Sequence, residues 1–163
     1  MKRRTAHGFT LLEVLVVVTI GAVLAVMVVL RLGSAGDQDD PTDQLQRLMA
    51  LLEAQCEQAM FQARPRGMRV TTEGFDFWHA TAEGWLPLTG QGINRQRAWS
   101  GDWVAQLLVE GHSAPVHADL DGPQIICQPL GELSTFELSL VTTGQRWRVT
   151  GRGDGRLELH LPR

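Results

Sequence analysis

The sequence predicts an α+β protein, a long N-terminal helix followed by a strand-rich domain, and three observations predict it. Residues 9–30 form an almost unbroken apolar run. Residues 41–63 repeat apolar side chains at spacings of three and four. From residue 68 the pattern changes to short segments of alternating polarity divided by glycine and proline. With 163 residues, the chain has room for one modest globular domain after the apolar run.

The apolar run, Phe9 to Leu30, holds 22 residues. As a helix rising about 1.5 Å per residue it reaches roughly 33 Å, enough to cross a bilayer core. It is too long for the roughly 7 to 15 apolar residues of an ordinary secretory signal. Lys2, Arg3 and Arg4 precede it and place the N-terminus in the cytoplasm and the C-terminal domain outside. The single charge within it is Glu13, and a carboxylate in hydrocarbon costs about 2.5–3.5 kcal/mol even on a lenient scale. A plain anchor leaves that acid unexplained.

The basic leader, Gly8, Phe9, Thr10-Leu11-Leu12, Glu13 and the long apolar helix together resemble the N-terminal signature of type IV pilins and type II secretion pseudopilins. The resemblance implies a leader of residues 1–8, cut by a prepilin peptidase between Gly8 and Phe9, with Phe9 then N-methylated. It also implies an assembly role for Glu13, fifth in the mature chain, through attraction to the amino terminus of a neighbouring subunit. Opposite charges in a low-dielectric bundle relieve one another where either alone is costly.

Residues 31–40, with two glycines and three acids, read as a linker. Asp37, Asp39 and Asp40 lack the further ligands of a calcium loop and read as a solvated spacer. A helix restarts with Asp40 as cap and Pro41 in its first turn. Leu45, Leu48, Met49, Leu52, Cys56, Ala59, Met60 and Ala63 fall on one face, and Arg64-Pro65-Arg66-Gly67 ends it. This face predicts a spine on which a sheet is laid.

Strands are expected at 68–72, 74–80, 85–88, 104–109, 116–120, 124–128 and 135–141, and around 146–149 and 157–161, with 89–102 a long surface loop. Pro87 marks 85–88 as an edge or irregular strand. For the last hairpin, a three-residue loop on Gly153-Asp154-Gly155 sets Val149 against Leu159 and Trp147 against Leu161. A two-residue loop would set Thr150 against Leu159 and break the apolar face, so the three-residue loop is expected.

The formal charge is −3, and loss of Lys2, Arg3 and Arg4 with the leader takes it to −6. Such a chain lacks the basic footprint of a general nucleic-acid binder. Cys56 and Cys127 are too few for a disulfide framework and read as two small buried thiols, although an extracytoplasmic domain would permit a bridge. His79, His112, His117 and His160 do not pair with the cysteines at zinc spacing, so no metal is expected. Asp119-Leu-Asp-Gly122 lacks the later ligands of a calcium loop, and Arg152-Gly-Asp154 sits at a hairpin tip; both read as turns. With no nucleophile and base signature and no phosphate loop, neither enzymatic activity nor a cofactor is expected.

Gln128-Pro-Leu-Gly-Glu-Leu-Ser-Thr-Phe136, then Trp147-Arg-Val-Thr-Gly151 and Gly155-Arg-Leu-Glu-Leu159, resemble the closing region of the minor pseudopilins H of type II secretion. Trp85-Leu-Pro-Leu88 is similar to a Trp-x-Pro segment of the same family. That resemblance implies a pilin-like fold and a structural subunit at or near the tip of a periplasmic pseudopilus serving export of folded proteins. Its implied partners are the prepilin peptidase, other minor pseudopilins, the major pseudopilin and an inner-membrane assembly platform. The rival is a minor type IV pilin of the DNA-uptake kind, for which Arg146, Arg148, Arg152, Arg156 and Arg163 would form a phosphate-binding patch. Glu137, Asp154 and Glu158 nearby offer those arginines ordinary cross-strand partners instead.

Overall fold

A computed structural model of the protein describes residues 11–32 and 40–162. The chain divides into two units, residues 1–37 and residues 38–163. The leader, the Gly8–Phe9 pair and residues 33–39 of the predicted linker lie outside the described residues.

In the first unit, Leu11–Leu32 is a continuous helix, α1. Its described side chains cover residues 12–22 of the predicted 9–30 span. Among the described residues no helix is long and apolar enough to cross a membrane.

The second unit begins with helix α2, Pro41–Phe61. Asp40 caps it as expected, its carboxylate accepting from the Thr42 amide at 2.7 Å. The end comes two residues earlier than predicted, in a Schellman turn. Arg64 N–H donates to Ala59 O and Ala63 N–H to Met60 O, with Ala63 in the left-handed region at φ 49° where glycine is usual. Leu45, Leu48, Leu52 and Ala59 are completely buried, whereas Met60 and Ala63, placed on the same face by spacing, are exposed. The stripe stops contacting the core where the helix stops.

Two antiparallel sheets follow. The first is built from β1 (Arg66–Val70), β2 (Gly74–Thr81), β3 (Gly84–Pro87) and β7 (Ile125–Cys127), in the order β3-β2-β1-β7, with the two-residue β4 (Arg97–Ala98) also pairing β2. The second contains β5 (Val104–Val109), β6 (His112–Ala114), β8 (Phe136–Thr142), β9 (Gln145–Gly151) and β10 (Leu157–His160), in the order β10-β9-β8-β5-β6. Helix α2 lies against β1 and β7 of one sheet and β9 and β10 of the other. Its leucines meet Met68, Val70, Phe77 and Ile125 from the first sheet and Leu107, Leu138, Leu140 and Val149 from the second in one core. This is the α+β, helix-on-sheet architecture the sequence predicts, and β3 is the expected edge strand.

The last hairpin has the predicted register, with Val149 opposite Leu159 and Arg152 N–H donating to Arg156 O around a three-residue loop. Trp147 and Leu161 are not a ladder pair, because β10 ends at His160. In the Gly131-Glu-Leu-Ser-Thr-Phe136 run, Gly131 takes φ 90°, Leu133 and Phe136 are buried, and the Phe136 ring occupies the space a side chain on Gly151 would need.

Three expectations are corrected. Residues 116–120 are not a strand. The Arg69 guanidinium, held by Asp76, donates to the carbonyls of Ala118 (3.2 Å) and Leu120 (2.9 Å), so a side chain takes acceptors that a ladder would have used. The 89–102 loop contains the 3-10 turn Gly92–Asn94 and β4. Cys56 and Cys127 are not free thiols but a disulfide joining α2 to β7, Cα to Cα 5.1 Å. Their 71-residue separation hid the pairing from any local pattern.

The bridge restricts the unfolded chain, and for a loop of this length the chain-entropy relation gives about 4 kcal/mol. We expect the Cys56→Ser/Cys127→Ser variant to lose about 3–4 kcal/mol of unfolding free energy, measured by urea titration of residues 38–163 within the detergent-solubilised full chain.

Candidate assembly site

Helix α1 presents an apolar surface over its described side chains. Leu12, Val14, Leu15, Val16, Val17, Val18 and Ile20 are between 44% and 74% exposed. Large aliphatic side chains surrounding a helix in this way require an apolar environment from outside the unit, either lipid or other helices. The helix is suited to it: the Thr19 hydroxyl donates back to the carbonyls of Leu15 and Val16, leaving no unsatisfied hydroxyl. Glu13 lies in the first turn, where the helix dipole favours an acid, and it is exposed among these aliphatic residues. Glu13 is therefore placed on an otherwise apolar helix surface, while Gly8 and Phe9 lie outside the described residues.

In the second unit, side-chain amides do much of the positioning. Gln44, Gln55 and Gln62 are spaced by 11 and 7 residues, about three turns and two turns of helix, so they share one stripe of α2. The Gln44 amide exchanges hydrogen bonds with the Ser100 backbone, donating to its carbonyl at 2.6 Å and accepting from its N–H at 3.1 Å. Gln55, fully buried, donates to Ile93 O and Asn94 Oδ1. Both bonds fasten the 89–102 segment along α2.

The same stripe receives Arg66 of β1, which is only 6% exposed and donates to Gln55 Oε1 and Gln62 Oε1. Burial first, then the neighbouring Arg64, holds this guanidinium below its ordinary pKa. Sequence reading missed this stripe, although the repeated glutamine spacing carried the signal.

A second cluster fixes the 116–124 segment. Asp76 accepts from Arg69 Nε at 3.0 Å and from the Trp78 indole at 2.8 Å, and the Arg69 guanidinium lies 4.8 Å from the centre of the Trp78 ring. Gln124 continues the β1–β7 pairing with its side chain: its amide accepts from Val70 N–H and donates to Val70 O, both at 2.8 Å.

Three of the arginines near the chain end have acid partners, while Arg146 is exposed with no ion pair among the described residues. Arg148 pairs with Glu137 (3.4 Å), Arg152 with Glu158 (2.7 Å) and Arg156 with Asp154 (3.4 Å). Arg163 lies outside the described residues. Among the described residues no group of three or more metal-ligating side chains converges.

An N-terminal helix with an acid on its apolar surface, joined in sequence to a helix-on-sheet domain, defines the chain as pilin-like. Residues 3–29 match the family model described as the prokaryotic N-terminal methylation motif. The chain is 31% identical to type II secretion system protein H of Aeromonas hydrophila, covering 98% of this chain and 96% of that protein. It is 27% identical to protein H of Pseudomonas aeruginosa, covering 90% and 89%. Among solved structures, the fold is similar to the minor pseudopilin EpsH of Vibrio cholerae (TM-score 0.61, 23% identity, 77% of this chain and 97% of that one). It is also similar to GspH of Escherichia coli (TM-score 0.57, 19% identity, 79% and 96%). The chain belongs to the type II secretion system protein H family, the minor pseudopilins, which are structural subunits rather than enzymes.

Proposed function

We propose that this chain is processed at Gly8–Phe9, held in the inner membrane by a single pass of residues 9–30, and built into the periplasmic pseudopilus at or near its tip. There it supports export of folded proteins across the outer membrane. The observation that carries this reading is the methylation motif at residues 3–29 on a chain that aligns with protein H over nearly its whole length. The apolar surface of α1 would pack first in lipid and then among neighbouring helices, and the Glu13 carboxylate would meet the methylated amino terminus of another subunit. The Cys56–Cys127 bridge supports a domain that matures in an oxidising compartment, as the proposed periplasmic side is. The ion pairing of Arg148, Arg152 and Arg156 with acids favours the secretion reading over the DNA-uptake rival, although Arg146 is exposed with no ion pair among the described residues.

The partners implied are a prepilin peptidase, the other minor pseudopilins, the major pseudopilin and the inner-membrane assembly platform. The test is deletion of the gene in the secreting cell. Exoenzymes should be retained in the periplasm while twitching and DNA uptake continue; normal secretion with lost uptake or motility would overturn the reading. Gly8→Ala should leave a precursor heavier by residues 1–8 in intact-mass analysis, and normal processing would refute the leader. Glu13→Ala should insert in the membrane normally yet lower secretion by about tenfold or more, the effect of losing roughly 1.4 kcal/mol at a subunit contact; full secretion would remove the charge-pairing role.

A further inference from the structure

On β9, Trp147 and Val149 face the core, so Arg146 and Arg148, which alternate with them, stand on the outer face of the second sheet. The ladder sets His160 of β10 opposite Arg148. These three side chains, with Gly144, Leu161 and Pro162, line an open cleft of about 430 Å³, and none of the described residues lining it is an acid. Arg146 is exposed and in no ion pair among the described residues. Arg148 has Glu137 at 3.4 Å, and His160 Nε2 meets the Thr150 hydroxyl at 3.1 Å.

The cleft lies at the end of the domain where α2 begins. A side chain on Gly131 would meet Met60 Sδ, and one on Gly155 would meet Gly131 O, so the β9–β10 tip sits by the last turn of α2. Arg146 is at the far end of that hairpin, a seven-residue strand of roughly 20 Å away. There Gln44, in the first turn of α2, holds Ser100, the Trp103 and Trp147 rings are 6.5 Å apart, and Val104 pairs with Val141, which pairs with Arg146. Between Leu32 of α1 and Asp40 lie seven residues, a length that spans at most about 25 Å. With α1 held in a bilayer, this end of the domain is within reach of lipid headgroups. Val104 and Leu161 at the same end are 62% and 58% exposed, and aliphatic side chains beside a cationic cleft suit the boundary between headgroups and acyl chains.

We propose that the Arg146–Arg148–His160 cleft binds the phosphate of an anionic phospholipid in the membrane that holds α1. Guanidinium groups match phosphate with paired N–H donors, and basic side chains close to an anionic leaflet are drawn to it. The chain as a whole carries −3, so attraction to such a surface has to come from a local arrangement of this kind. A headgroup bound there keeps this face on the bilayer until assembly withdraws the chain. The inference rests on the single-pass reading of residues 9–30, and the test checks that reading separately.

Trp78, Trp85, Trp99, Trp103 and Trp147 are the five tryptophans of the chain and all belong to the second unit, so their fluorescence reports on that unit alone. The full chain, with its disulfide formed, is reconstituted in phosphatidylcholine vesicles with and without phosphatidylglycerol, each carrying a headgroup spin label as quencher. Resistance to carbonate extraction checks insertion. Quenching should be about twofold greater or more with phosphatidylglycerol. The difference should vanish in high salt and in Arg146→Glu, and Arg146→Lys should keep most of it. Duplex DNA at physiological salt should leave the quenching unchanged; relief by DNA assigns the cleft to nucleic-acid phosphates and overturns the lipid site. A chain that inserts yet is quenched equally in both vesicles, or whose Arg146→Glu variant keeps the difference, overturns the headgroup site and leaves the single pass standing. Extraction of the chain by carbonate overturns the single pass and the site with it.

Discussion

The second unit depends on the burial of one helix face. Its two sheets are separate ladders, and what brings them into a single core is α2, whose Leu45, Leu48, Leu52 and Ala59 lie against strands of both. Each of the three fully buried leucines contributes about 1.5–3 kcal/mol of transfer free energy, and with the smaller term of Ala59 they carry the association of the sheets. Hydrogen bonds then select the register. The hydrophobic term brings the layers together, and the ladders and the Cys56–Cys127 bridge determine how they sit.

Polar groups on the same helix complete what the leucines begin. The glutamine stripe supplies amides that both donate and accept, so it can satisfy backbone groups of an irregular segment where no ladder is available. Residues 89–102 contain little regular structure, yet Gln44 and Gln55 fix two points along them. Arg66 uses the acceptor ends of Gln55 and Gln62, which lets a guanidinium sit inside the domain with hydrogen bonds but without a carboxylate. An irregular segment is thereby held against α2 without a strand beneath most of it.

Much of this was legible in the sequence where local chemistry decides. Asp40-Pro41 announces the helix start, the leucine spacing gives its buried face, and the glycines around Asp154 set a register that side-chain alternation independently requires. Failures fall where distant groups decide. Val116 to Leu120 has strand-like residues, but Arg69, from more than forty positions away, binds its carbonyls. Cys56 and Cys127, 71 residues apart, are neighbours because β7 lies against α2. On α1 the sequence showed an acid in an apolar run, and the structure adds that Leu11–Leu32 is helical and that its described side chains are exposed.

Gln124 carries a consequence for behaviour at high local concentration. Strand β7 pairs with β1 only as far as Met68, so Val70 would present a bare N–H and C=O at the end of that edge. The Gln124 amide fills both, imitating one more strand residue. A vacant rung is an invitation to a foreign chain, and subunits crowded together before assembly would meet many such chains. By stopping that rung with its own side chain, the domain is guarded against strand exchange, so crowding can favour ordered filament contacts over tangling.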